Sequence, residues 1–95
     1  MQHIYFIDNE TIKKLDNIIE QFKEYANNYS IITGEFLDKE AMFRNSSDPL
    51  APTQSFIAHA NARYYEGQVE AFRLCIWALE NFIKIYKAGE NNEKD

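Results

Sequence analysis

One cysteine, two histidines, three glycines and two prolines are all that this 95-residue chain holds of the residues that bridge, ligate or turn. A lone Cys75 excludes an internal disulfide framework. Set among Leu74, Ile76 and Trp77, it reads as a buried thiol in a reducing compartment. His3 and His59 have no ligand-spaced Cys or acidic cluster around them, so neither a metal nor any other cofactor is expected. So few Gly and Pro argue against a turn-rich β fold. No glycine-rich phosphate loop or dinucleotide fingerprint is present.

Positive charge is also scarce. Fifteen acidic residues against ten basic give a net −5, with no basic stripe, so direct binding of nucleic acid is not expected. No apolar window reaches the length of a membrane span. No basic segment followed by an apolar run opens the chain. A cytoplasmic protein is the expectation.

What the chain has in quantity is aromatic and aliphatic side chains at helical spacing, including seven Phe, six Tyr and one Trp. From Ala58 the apolar residues run Ala62, Tyr65, Val69, Phe72, Ile76, Leu79, Ile83 and Tyr86, in alternating steps of four and three. A seven-residue repeat held this long predicts one helix packed lengthwise on a partner, in the manner of a coiled coil. The helix is expected over 55–87, capped at Thr53 or Ser55 and ended by Gly89, with a polar tail over 89–95.

An earlier stripe, Ile12, Leu15, Ile19, Phe22, Ala26 and Tyr29, predicts a first helix over 9–29, capped by Asp8 or Asn9. Gly34 reads as its stop. Asp38 offers the cap of a short middle helix over 38–45, and 46–52, with both prolines, reads as a loop. Residues 2–7, Gln-His-Ile-Tyr-Phe-Ile, are β-prone and read as an arm. Gly67 lies inside the long helix, where glycine is either tolerated or marks a close approach.

These elements predict one small all-α domain: an antiparallel helical hairpin with a short middle helix and a β-prone N-terminal arm. A first helix near 32 Å and a second near 45 Å (at about 1.5 Å per residue) leave the late stripe without a mate. A second copy completing a four-helix bundle would supply one.

Catalytic groups are sparse. Cys75 and His59 are sixteen residues apart on one helix, about 24 Å, too far for a nucleophile and its base. Asp16, Glu20 and Glu24, and Glu66 and Glu70, share helix faces at four-residue spacing; they read as solvated faces or as an acidic patch for a basic partner. His59 reads as a boundary residue or a local hydrogen-bond partner.

The expectation is a non-enzymatic protein–protein interaction module: an adapter, inhibitor or accessory subunit, and a homodimer. Its partner or dimer interface is expected at Tyr64, Tyr65, Phe72, Ile76, Trp77, Leu79, Phe82, Ile83 and Tyr86. The alternatives are an acidic inhibitor occupying a target's nucleic-acid-binding site, and a small ligand-binding or enzymatic bundle. In composition, not motif, the chain is similar to small acidic helical proteins of bacteriophages and mobile elements and to small helical secretion partners. Helical hairpins of the WXG type carry Trp-x-Gly in their turn. The only tryptophan here, Trp77, lies inside the second helix, and that function is not carried over.

Overall fold

The structure, a computed structural model, describes residues 8–93. They form two helices, α1 (Asn9–Arg44) and α2 (Ala51–Glu93), packed antiparallel. The β-prone arm at 2–7 lies outside the described residues.

α1 starts where expected. The Asp8 carboxylate accepts a hydrogen bond from the Thr11 amide at 2.7 Å, filling the N-cap role. It does not end where expected. The helix passes through Gly34 without a positive φ and absorbs the segment assigned to a separate middle helix. Its buried row also continues: Thr33, Phe36, Glu40 and Phe43 extend the same alternation of threes and fours beyond Tyr29. Threonine and glutamate at two of these four positions hide the row from a reading by hydrophobicity. Both are satisfied locally. The Thr33 hydroxyl donates to the Tyr29 carbonyl at 2.8 Å, and the Glu40 carboxylate meets Arg44 and His59.

The turn is tight. Leu50 N–H donates to the Asp48 carboxylate at 2.8 Å and Ala51 N–H to the Asp48 carbonyl at 3.0 Å. α2 therefore begins at Ala51, ahead of the expected caps, with Pro52 in its first turn, where a missing N–H costs nothing. At the other end it runs through Gly89 to Glu93, so the predicted tail begins as helix. Its row also extends backward, through Ser55 to Ala51.

At about 1.5 Å per residue, helices of 36 and 43 residues are near 54 and 65 Å long. The difference of about 11 Å between them is close to the one expected, but it does not fall on the late stripe, because α1 continues for fifteen residues beyond Tyr29 and the excess of α2 lies past Tyr86. The late α2 stripe has its mate within the chain: Phe72 stacks or tilts against Phe22, Tyr25 and Tyr29 at 5.5–5.8 Å. Toward the turn, Tyr65 stacks on Tyr29 and Phe36 at 5.6 and 5.7 Å. Closer still to the turn, α2 presents only Ala51, Ser55, Ala58 and Ala62, the room that Phe36 and Phe43 of α1 need.

The product is a rod of 71 × 23 × 17 Å with a radius of gyration of 21.0 Å, against about 12 Å for a compact chain of this length. The buried apolar set is Ile19, Ala26, Ala51, Ala58, Ala62, Val69 and Ile83, so four of the seven are alanines.

Two predictions follow from the backbone. A Cβ added at Gly34 or Gly67 meets nothing within 4 Å, and both sit in helix. Gly34→Ala and Gly67→Ala should each stabilise the fold by about 0.5–1 kcal/mol in denaturant melts. Loss of stability at Gly67 would reveal a close neighbour. The Thr11 hydrogen bonds hold the Asp8 carboxyl below its ordinary value of 3.8, helped by the Lys14 charge. A group with a lowered folded pKa contributes stability above its unfolded pKa and loses it as pH falls through the folded one. Asp8→Ala should therefore melt earlier than wild type at neutral pH, and the gap should close on acidification below the carboxylate range.

Candidate functional surface

The two helices of a hairpin leave two broad faces, and here the faces differ in chemistry. The first is ionic. Lys23 of α1 reaches Glu80 of α2 at 3.5 Å and Glu20 at 3.6 Å. Arg63 pairs with Glu66 at 3.7 Å. Near the turn, Glu40, only 9% exposed, is met by Arg44 and by His59 Nδ1 at 3.1 Å, and the Ser55 hydroxyl donates to its carbonyl at 3.4 Å. His59 is the local hydrogen-bond partner expected.

The second face is uncharged along α2. Beside the buried row runs another at the same spacing: Gln54, Ile57, Asn61, Tyr64, Gln68, Ala71, Cys75, Ala78, Phe82 and Ile85. None of the ten carries a charge. Ile57, Tyr64, Phe82 and Ile85 are 53, 62, 49 and 71% exposed. The flank of α1 on this side contributes exposed Ile18, Tyr25 and Met42, with Lys14, Glu35 and Lys39 toward its ends. At the turn end the face is concave. A groove of about 260 Å³ is lined by Phe36, Lys39, Met42, Ile57, Ala58 and Asn61, among others. It exists because the α2 row is reduced to alanine there, and Lys39 lies over the Phe36 ring at its rim, 5.3 Å from the centroid.

The expected interface residues divide. Tyr65, Phe72, Ile76, Leu79, Ile83 and Tyr86 are in the half-buried or buried row that packs on α1. Tyr64 and Phe82 stand on the uncharged face; Tyr64 meets Tyr65 edge-on at 5.2 Å and Phe82 tilts on Tyr86 at 6.1 Å. Trp77, 65% exposed, lies beside Leu74 on the outer edge of α2. Ile57, Ala71, Ala78 and Ile85, with Ile18, Tyr25 and Met42 of α1, were not among the residues expected at the interface. Their signal was present as a second three-and-four alternation one position removed from the first. Alanine, glutamine and asparagine within it disguised it, since absence of charge, rather than hydrophobicity, is what its members share.

Cys75 belongs to this exposed row and is not buried; it falls one residue short of Ile76 and so points off the seam. In the register set by the ring contacts, Asp16, Glu20 and Glu24 lie level with about Glu80, Ile76 and Phe72 of α2, and Glu70 and Glu66 follow toward the turn, so the acidic candidates are spread over about 20 Å of the rod. Cations pair with Glu20 and Glu66. Among the described residues no group of three or more His, Cys, Asp or Glu is placed to hold a metal ion, and no helix is long and apolar enough to cross a membrane. Comparison with known protein families, curated proteins and solved structures finds no match.

Glu40 occupies a position that the repeat assigns to an apolar side chain. Replacing a buried, paired charge with a hydrophobe of similar size is often neutral or stabilising. Glu40→Leu should therefore melt at or above wild type. A loss above about 1 kcal/mol would show instead that the Arg44 and His59 contacts stabilise the fold on balance.

Proposed function

We propose that the protein is a non-enzymatic interaction module that works by burying its uncharged face against another helical surface, and that the first surface it meets is a second copy of itself. The observation that carries this reading is the ten-residue charge-free row on α2. Charged residues make up 26% of the chain and exposed helix faces ordinarily carry them, so a ten-residue row free of charge favours a contact surface.

Area supports self-association. The chain exposes 7656 Å², whereas a compact chain of 11.2 kDa exposes about 5,700 Å². The excess is roughly 2,000 Å². An obligate dimer buries on the order of 1,000–2,500 Å² per partner, so one additional hairpin is a sufficient cover. Covering Ile57, Tyr64, Phe82 and Ile85, which are half to two-thirds exposed, contributes about 1–2 kcal/mol each, together comparable with the net stability of a small domain. The face is neutral, so two copies meet on it without facing like charges along α2. Cations pair with Glu20 and Glu66, which favours this apolar mode over electrostatic mimicry of nucleic acid. A lone exposed thiol stays free most readily in a reducing, cytoplasmic setting.

The test is mass in solution. Sedimentation equilibrium across a dilution series should show a dimer, and the melting temperature should rise with protein concentration. Ile85→Asp, at a position 71% exposed within the chain, should weaken association by tenfold or more and lower the melting temperature at a fixed concentration. A monomer with a concentration-independent melt would remove the basis of the reading.

A further inference from the structure

The uncharged face is not flat, and its relief specifies how two copies fit. At the turn end it is hollow: the groove between Met42 of α1 and Ile57 of α2 opens onto it. At the far end the row beneath it is bulky, with Leu79, Ile83 and Tyr86 in place of alanines, and Phe82, Ile85 and Ile18 are exposed above it. Two such faces can be brought together by a two-fold axis in either of two ways. With the turns at the same end, each groove faces a groove and each bulky end faces a bulky end. The bulky ends then hold the hollow ends apart, and a void is left where packing contacts are needed. With the turns at opposite ends, each bulky end meets a groove.

The geometry points to the second arrangement: an antiparallel pair of hairpins in which α2 lies on α2 of the second copy and Phe82 enters the groove beside Met42 and Ile57 of that copy. This inference rests on the self-association proposed above and adds its orientation and register.

Two independent features give the same register. The ring contacts of Phe72 and Tyr65 align α1 with α2 so that Asn9 comes level with about Lys87. The doubly helical length on α2 therefore runs from Ala51 to that level, and its centre is Val69. Full overlap of two antiparallel hairpins requires the axis to pass there. Phe82 lies about 20 Å from Val69 toward the far end, and Ile57, at the groove's centre, lies about 18 Å from it toward the turn. An axis at Val69 thus carries Phe82 of one copy onto the groove of the other, with no shift needed to seat it. Beside the axis the row narrows to Gln68 and Ala71, a small residue where the two α2 helices come closest. In this register Lys14 of one copy comes level with Lys39 of the other, with Glu35 about 8 Å away along the rod.

Cross-linking separates the arrangements. In a Cys75→Ser background, Gln68→Cys should cross-link to itself through a short bismaleimide, because it lies next to the axis. Ile57→Cys alone should not, because its copies lie at opposite ends. A mixture of Ile57→Cys and Phe82→Cys proteins should give the heterodimeric product. Met42→Glu and Phe82→Lys, both at exposed positions, should each weaken the dimer by tenfold or more while leaving helix content intact. The doubly substituted chain should recover most of that loss through the new opposite-charge contact. A dimer in which Ile57→Cys cross-links to itself as readily as Gln68→Cys would overturn the orientation and leave self-association standing. A monomer at all concentrations would overturn both.

Discussion

The fold depends on one seam, the line along which two rows of side chains interlock between antiparallel helices. Its centre is aromatic. Phe36, Tyr29, Tyr25 and Phe22 of α1 alternate with Tyr65 and Phe72 of α2 at centroid distances of 5.5–5.8 Å. Aromatic pairs at this spacing add to their area burial, and rings of this size fill a groove only two helices wide. On either side the seam is graded. Toward the turn, α1 supplies the bulk and α2 the alanines. Toward the far end, Ile12, Leu15 and Ile19 meet Ile76, Leu79 and Ile83. The helices need this seam for more than cohesion, because it aligns their register and thereby the two outer faces.

Those faces divide the polar work. Each polar residue admitted to the seam is satisfied on the spot, and among the described residues no buried side-chain polar atom lacks a partner. Glu40 is the strongest case. A carboxylate at a seam position disfavours slippage, since a shift of one turn would remove it from His59 and set it against apolar side chains. With Lys23–Glu80 on the same side, the ionic face locks the hairpin from one flank. The other flank is thereby released from polar duty along α2, whose row there carries no charge.

How much of this was legible in the residues depends on which physical signal each feature used. The α2 row from Ala58 to Tyr86 was plain, because burial and hydrophobicity coincide at every member, and the N-cap at Asp8 followed from its side-chain chemistry. The first helix was read as ending fifteen residues early, because Gly34 resembles a stop and the row beyond it is carried partly by Thr33 and Glu40. A glycine stops a helix when the chain needs a positive φ, and here the sequence after it still has a face to bury. The same error shortened the first helix and so left the late stripe of α2 without the mate that α1 supplies. The uncharged face was missed for the complementary reason: hydropathy marks Tyr64 and Phe82 but passes over Gln68, Ala71 and Ala78.

The proposal of a second molecule consequently rests on different ground from the one the residue pattern first suggested. No length of seam is left unpaired; what is deficient is depth. A rod 17 Å thick is one layer of helices, and a single layer buries one stripe of each helix while leaving the opposite side wet. Four alanines among seven buried apolar residues contribute little against the backbone entropy of ordering two long helices. Stacking a second layer on the uncharged face would turn the half-buried Phe22, Tyr29, Tyr65 and Phe72 into the middle of a bundle. Folding and association are then one equilibrium, in which the seam selects the hairpin and the hairpin's neutral face supplies the area that stabilises it.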